Sequence, residues 1–398
     1  MRAGSPFGQS MLKYGIWLLT VGCWLLASCG EEPTANSQEP IVYSSPVDYD
    51  IVLAGNFGEP RPNHFHGGID VKTDNVEGKQ IFSIANGFVS RITVNMYGFG
   101  NAIYVSHPDG NTSVYCHLKC FAEPYEQLLT RTGRDTLDLH FDAGQLPVNG
   151  GDLIALSGNT GHSTGPHLHL EIHDTETWVM RDPLEFLGPY VADTVAPQAH
   201  SFMAVPMLGE GVFNGGQTKQ TFSFGQSDRK VQSSRILLQR EFTAWGRVGF
   251  ALWADDYCES TYNHYGVRYT QLLVDGREVF SSNVDGIPIS TTREVNDWGD
   301  YDHWRHNHTW YLKSYREPGM RLPILHTGFS QGIVTFNEER DYHLTYILRD
   351  YQNNQSIYDF TVRGVRDSRV RICRHDLLLN PYQLYDQCLW PLYSHCYP

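Results

Sequence analysis

The chain has 398 residues, 41% of them hydrophobic and 19% charged, a balance that fits a globular protein with room for two domains and excludes a disordered one. A formal net charge of -14 leaves no electrostatic footprint for nucleic acid or for anionic lipid, so neither is expected as a charge-driven partner. The 23 Tyr, 19 Phe and 9 Trp, with 37 Gly and many short apolar runs, favour strands over helix bundles.

In chain order, Met11-Leu12-Lys13 precedes the uncharged run Tyr14 to Ala27. That run is short for a membrane span and has the length of a signal-peptide apolar region. It ends in Leu26-Ala27-Ser28-Cys29-Gly30, which resembles the bacterial lipoprotein box. The resemblance implies that residues 1–28 are removed, that Cys29 is lipidated, and that the protein is lipid-anchored in the cell envelope, periplasmic or on the outer membrane. Residues 29–47, rich in Glu, Pro, Ser, Asn and Gln, read as a flexible tether.

From 48 to 190 short strands alternate with glycine turns, as in an antiparallel sheet domain. Ile81–Ala85, Asn86-Gly87 and Phe88–Val94 form one hairpin signal, and Ala102–Ser106, Asp109-Gly110 and Thr112–Tyr115 a second. Residues 119–146 interrupt the rhythm, and Tyr125, Leu128 and Leu129 have the spacing of one short helix. Asp182-Pro183, Gly188-Pro189 and Ala196-Pro197 punctuate a boundary. From 198 to 365 the pattern reads as an Ig-like β-sandwich, with Tyr269–Val274, Asp275-Gly276 and Arg277–Phe280 as a hairpin, and with His343–Leu348 and Ile357–Val362 flanking a polar turn. Residues 366–398 hold three of the eight cysteines and lose strand alternation, as a disulfide-tied tail would. Six cysteines besides Cys29 follow the apolar run, and sequence cannot choose among their pairings.

Three segments of the first domain concentrate histidine: His64-Phe65-His66-Gly67-Gly68-Ile69-Asp70, Tyr115-Cys116-His117-Leu118, and Gly165-Pro166-His167-Leu168-His169-Leu170-Glu171-Ile172. In the third, His167, His169 and Glu171 alternate with Leu168, Leu170 and Ile172, the pattern of a half-buried strand. Residues two apart on a strand are separated by roughly 6.6 Å. That spacing suits one metal ligand and one neighbour that touches substrate, given zinc–nitrogen bonds of about 2.0–2.1 Å. His66 and Asp70 would lie about 13 Å apart on a straight strand, so sharing an ion requires the chain to turn at Gly67-Gly68. Two histidines and one carboxylate, with a fourth position open, make a catalytic zinc set and not a closed structural one.

His-x-Gly-x-Asp, Tyr-x-His-Leu and the run Gly158 to His169 resemble, in order and spacing, the lysostaphin-type (LytM-like) zinc metallopeptidases, as do His107-Pro-Asp-Gly110 and Gly151–Ala155. The resemblance covers about residues 48–188. It implies zinc held by His66, Asp70 and His169, with His117 and His167 as catalytic residues. It also implies a peptide of peptidoglycan as substrate. The family's spacing favours His66 over His64 as ligand. The departures are Cys116 inside the second motif and the insertion after Lys119, which is expected to reshape one wall of the groove. His107 and His173 read as surface residues. Gly161-His162-Ser163-Thr164-Gly165 fits the serine-hydrolase elbow, but Pro166 and an alternating strand follow where that motif needs a helix. A non-catalytic wall scaffold or amidase regulator on the same fold, or a peptidase for extracellular proteins, are the rival functions.

Overall fold

The computed structural model describes residues 41–130, 136–225, 233–259 and 261–370. Cys29, the apolar run before it and Cys373, Cys388 and Cys396 therefore lie outside the described residues. Among the described residues no helix is long and apolar enough to cross a membrane.

The first half is built on a sheet ordered Leu53–Gly55, Gly68–Lys72, His167–Asp174, Asn111–Cys116, Ala102–Ser106, Gly87–Val94 and Leu137–His140, with every pairing along this path antiparallel. His167–Asp174 lies inside the sheet, between two strands that each carry part of a histidine motif. Period-2 alternation sends Leu168, Leu170 and Ile172 to one face, where they are fully buried with Ile69, Val71 and Tyr115. The other face is also covered: His169 is 6% exposed, Glu171 4% and His173 2%, so the strand is buried on both faces and not half-buried.

The 102–116 hairpin forms as expected, with Ser106 opposite Thr112. The 81–94 hairpin does not. Gln80–Phe82 pairs with Leu153–Leu156 in a separate three-stranded sheet, and Gly87–Val94 pairs with Ala102–Ser106. A two-residue hairpin turn of the Asn-Gly type needs positive φ at both positions. Neither Asn86 nor Gly87 has it. Gly87 serves close approach instead, since a Cβ there would collide with the carbonyl oxygen of Ser106.

Within the insertion, Tyr125–Thr130 is helical and Leu137–His140 pairs with Gly87–Val94 at the sheet edge. Three strands separate that edge from His167–Asp174, so this strand does not form a wall of the histidine site. Cys116, Cys120 and Cys258 are free thiols.

The second half is one hydrogen-bonded sheet of 11 strands. It is mostly antiparallel, with parallel pairings of Ser233–Leu237 to Gln355–Gly364 and of Phe242–Ala244 to Val362–Gly364. Residues from its strands meet in one aromatic core, where Phe360 stacks on Phe202 at 4.5 Å and is 1% exposed. Truncating such a ring leaves a cavity as well as lost contacts. Phe360→Ala is expected to lower stability by about 3–5 kcal/mol, read from the urea unfolding midpoint. The Asp275-Gly276 hairpin is present with φ of 50 and 74 at its two central residues, as its turn type requires.

The two halves pack together. Met180–Arg181 pairs with Gly286–Ile287, Tyr265 donates to the carbonyl of Leu53 at 2.9 Å, and the Asn56 side chain exchanges two hydrogen bonds with Gly266. The backbone of Phe65 donates to Thr292 Oγ1. The second half thus braces the segment from Asn56 to His66.

Candidate metal and catalytic site

Register places the site residues. His169 stands opposite Asp70 on one neighbour and Cys116 on the other. Directly opposed residues on adjacent strands share a face and sit close together. His117 follows Cys116 at the end of its strand and has φ of 60. That left-handed conformation is costly for a residue with a Cβ. It is held by the His117 N–H donating to Phe99 O and by the ring Nδ1 at 2.9 Å from Thr160 O.

His66 sits in the break between the strands His64–Phe65 and Gly68–Lys72, as sharing a site with Asp70 requires. The glycines do not provide a left-handed turn, because neither has positive φ. They provide room: a Cβ on Gly68 would meet the Leu170 carbonyl oxygen, and one on Gly67 would crowd Glu171 and Met180 Sδ.

Five side chains converge. His66 Nε2 is 3.0 Å from Asp70 Oδ1 and 3.0 Å from His169 Nδ1, and His169 Nδ1 is 2.8 Å from Asp70 Oδ1. His167 Nε2 is 3.4 Å from the same Asp70 oxygen. His117 and His167 ring centroids are 4.9 Å apart, and those of His117 and His169 5.7 Å. Two sets of three groups can hold a metal ion, His66 with Asp70 and His169, and His117 with His167 and His169. Strand rise alone therefore does not separate His167 from His169, since their side chains lean toward one point.

Each of the four imidazoles is oriented by its other nitrogen. His66 Nδ1 is 2.6 Å from Asn56 O, His117 Nδ1 2.9 Å from Thr160 O, and His167 Nδ1 2.8 Å from Gly165 O. A carbonyl can only accept, so each Nδ1 donates and each Nε2 keeps its lone pair. His169 is reversed: its Nε2 lies 2.9 Å from Glu171 Oε1, which leaves Nδ1 for the site. Glu171 Oε2 in turn lies 2.5 Å from His173 Nε2, and the His173 ring stacks on Trp178 at 4.4 Å. Asp70 presents one oxygen to the histidines and gives the other to Arg61 at 3.0 Å.

The electrostatics follow. Burial lowers the pKa of His66 despite Asp70 beside it. Burial and the neighbouring imidazoles of His169 and His167 pull His117 down to about 4. Burial would lower His169 too, but hydrogen bonds to Asp70 and Glu171, and their charge, overcome it and push that ring up to about 9. Burial would raise Asp70 and Glu171, yet the histidines around each hold both carboxyls well below the usual range.

His64 is exposed and bonds only locally, to Pro62 O, and His162 is exposed. Ser163 caps the loop, with its hydroxyl on Gly165 O and 3.2 Å from His167 Nδ1, and a strand follows it. His107 and His173 are not surface residues. His107 is 6% exposed, held by Asn86 O and Ser113 Oγ, and His173 is 2% exposed against Glu171. Sequence reasoning assigned no role to Asn56, Arg61, Thr160 or Glu171. Only Glu171 carried a signal, by sharing the face of His167 and His169.

Residues 64–128 match Peptidase family M23. The chain is 30% identical over 138 residues, 33% of its length and 25% of the relative's, to the DD-carboxypeptidase/endopeptidase Mpg of Neisseria meningitidis serogroup B. It is 33% identical over 116 residues, 29% of its length and 19% of the relative's, to an uncharacterized metalloprotease of Haemophilus influenzae. The similarity thus spans a quarter or less of each of these relatives. Among solved structures it is similar to the catalytic domain of the antimicrobial peptidase lysostaphin from Staphylococcus simulans, with 24% identity, 35% of this chain and 92% of that chain covered, and a TM-score of 0.27. It is also similar to a zinc-containing peptidase from Vibrio cholerae, with 27% identity, 34% and 37% covered, and a TM-score of 0.26.

Proposed function

We propose that this chain, whose residues 64–128 carry the Peptidase family M23 match, is a zinc metalloendopeptidase that hydrolyses peptide cross-links of bacterial peptidoglycan, tethered to a membrane of the cell envelope through a lipid on Cys29. The observation that carries this reading is the donor set. His66 Nε2, Asp70 Oδ1 and His169 Nδ1 lie 2.8–3.0 Å apart and are each fixed by a second hydrogen bond or ion pair. Ligands at tetrahedral corners around zinc are about 3.3 Å apart for bonds of about 2.0–2.1 Å, so the three atoms fit that ion after a small outward shift. Partners on the outer nitrogens of ligand histidines are the usual support of such a site.

Zinc held there would supply Lewis acidity toward a peptide carbonyl and toward water. The protein's own part is proton transfer and charge placement. His117 stays neutral at neutral pH, with Nε2 open to the site, so it can accept a proton from water. His167 also turns Nε2 inward and can pass a proton to the leaving amine or hydrogen-bond the oxyanion. Phe99, whose ring lies 6.0 Å from that of His169 and is partly exposed, offers apolar surface beside the site for a peptide chain.

The test is to express residues 46–398, measure zinc, and digest purified peptidoglycan. One zinc per chain and new amine ends support the reading; metal-free, inert protein at neutral pH ends it. Zinc uptake has its own signature. His169, with its pKa at about 9, is charged in the metal-free protein at pH 7 and must be neutral to bind. About one proton per zinc should leave from this residue, and affinity should rise with pH up to about 9. Calorimetry in buffers of different ionisation heat measures it, and uptake without proton release contradicts it.

A further inference from the structure

We propose that a hard divalent cation, calcium by its chemistry, binds between Asp193, Asp256 and Asp350, where the segment joining the two halves meets the second half. This inference is independent of the zinc reading.

Asp193 lies on the segment before strand Gln198–Phe213, Asp256 follows strand Phe242–Asp255, and Asp350 opens the turn between Asp341–Arg349 and Gln355–Gly364. One oxygen from each lies within 4.8 Å of the other two. Asp256 is 6% exposed and Asp350 4%. The charges that weigh most on Asp256 are those of the carboxylates Asp193, Asp350 and Asp255. Glu259 adds another beside Asp193. The near cation, Arg268, is engaged by Asp182 and Glu185. Three carboxylates this close, two of them buried and Asp193 half-buried, repel strongly in a medium of low dielectric, and a cation or added protons must offset them.

Asp256 points to which it is. Its Oδ1 is buried with no hydrogen-bond partner. Buried carboxylate oxygens are otherwise satisfied. Asp193 Oδ1 accepts from the Val195 N–H, and both oxygens of Asp350 accept from Asn354. A shared proton would draw two carboxyls into a short hydrogen bond, and among the described residues no hydrogen bond joins any two of the three. Oxygens spaced across several ångströms fit calcium, whose bonds of about 2.3–2.6 Å put opposed ligands up to about 5 Å apart. Oxygen donors alone select calcium, magnesium or manganese over zinc, and magnesium demands a tighter octahedron. A cavity of about 20 Å³ beside Asp193 and Asp256 has room for a water to complete the shell. Asn56, whose carbonyl orients His66, lines the same cavity. The ion would tie the joining segment to the second half beside the strut of the histidine site.

The experiment uses the full chain, stripped with chelator and reloaded with one equivalent of zinc, then titrated with calcium chloride. One calcium should bind per chain, with a rise in melting temperature. Asp256→Asn and Asp350→Asn should each weaken binding at least tenfold and remove the rise, with zinc content unchanged. Calcium-free Asp256→Asn should melt no lower than the calcium-free parent, because it relieves repulsion; a purely structural aspartate would lower it. Absence of binding and of any melting shift at millimolar calcium overturns the proposal, as does binding that both variants retain.

Discussion

Asp70→Ala is expected to abolish zinc uptake and hydrolysis together while leaving the sheet folded. Asp70 Oδ1 is the shared vertex of the site, 3.0 Å from His66 Nε2, 2.8 Å from His169 Nδ1 and 3.4 Å from His167 Nε2. Without it the His66, Asp70 and His169 set falls to two imidazoles, and the remaining His117, His167 and His169 set has no protein anion to balance a dication. The fold should survive, because Arg61 keeps Glu59 as a partner and the pairing of Gly68–Lys72 with His167–Asp174 is a backbone ladder. Glu171→Gln separates ligand from support. It keeps every donor atom but weakens the group that orients His169, and should loosen zinc by about 10–100-fold without abolishing activity at saturating metal. Metal analysis after dialysis, with circular dichroism for the fold, decides both. Full zinc in Asp70→Ala would remove that residue from the ligand set.

The contrast between donor and support also separates what sequence could reveal from what it could not. Period-2 alternation from His167 to Ile172 is a local property, so the strand and its two faces were readable. The 102–116 hairpin and the Asp275-Gly276 turn are local in the same way. The 81–94 hairpin failed because Gly87 answers to the carbonyl of Ser106, a neighbour brought by another strand. His107 looked like a surface residue because its burial depends on a partner 21 residues away, the Asn86 carbonyl, whereas the partner of His173 is Glu171, two residues away on the same strand face, so the local alternation could have placed it. The five inward-facing side chains could be named from motif order. The groups that aim them could not, since Asn56 O and Thr160 O are backbone atoms whose positions only the assembled chain defines. The second half shows the same limit. Its strands were legible singly, but the parallel pairings onto Gln355–Gly364, which make one network of them, join residues over a hundred positions apart.

His117→Ala and His167→Ala should each retain zinc and lower kcat by about 10²–10⁴-fold, the usual worth of a positioned general acid or base. If the two act on one proton path, the double variant should lose little more than the worse single one. The pH profile tests the base further. Burial and two imidazoles hold His117 down to about 4, and a nearby dication pushes in the same direction, so its neutral form persists through mild acid. The acid limb of kcat/KM above pH 4 then cannot report protonation of His117. It reports protons competing with zinc for His169, which Asp70 and Glu171, outweighing burial, push up to about 9 in the metal-free site. Raising free zinc should therefore move the acid limb to lower pH. A limb fixed near 6.5 at every zinc concentration would assign it to an ordinary imidazole and take the role of base away from His117.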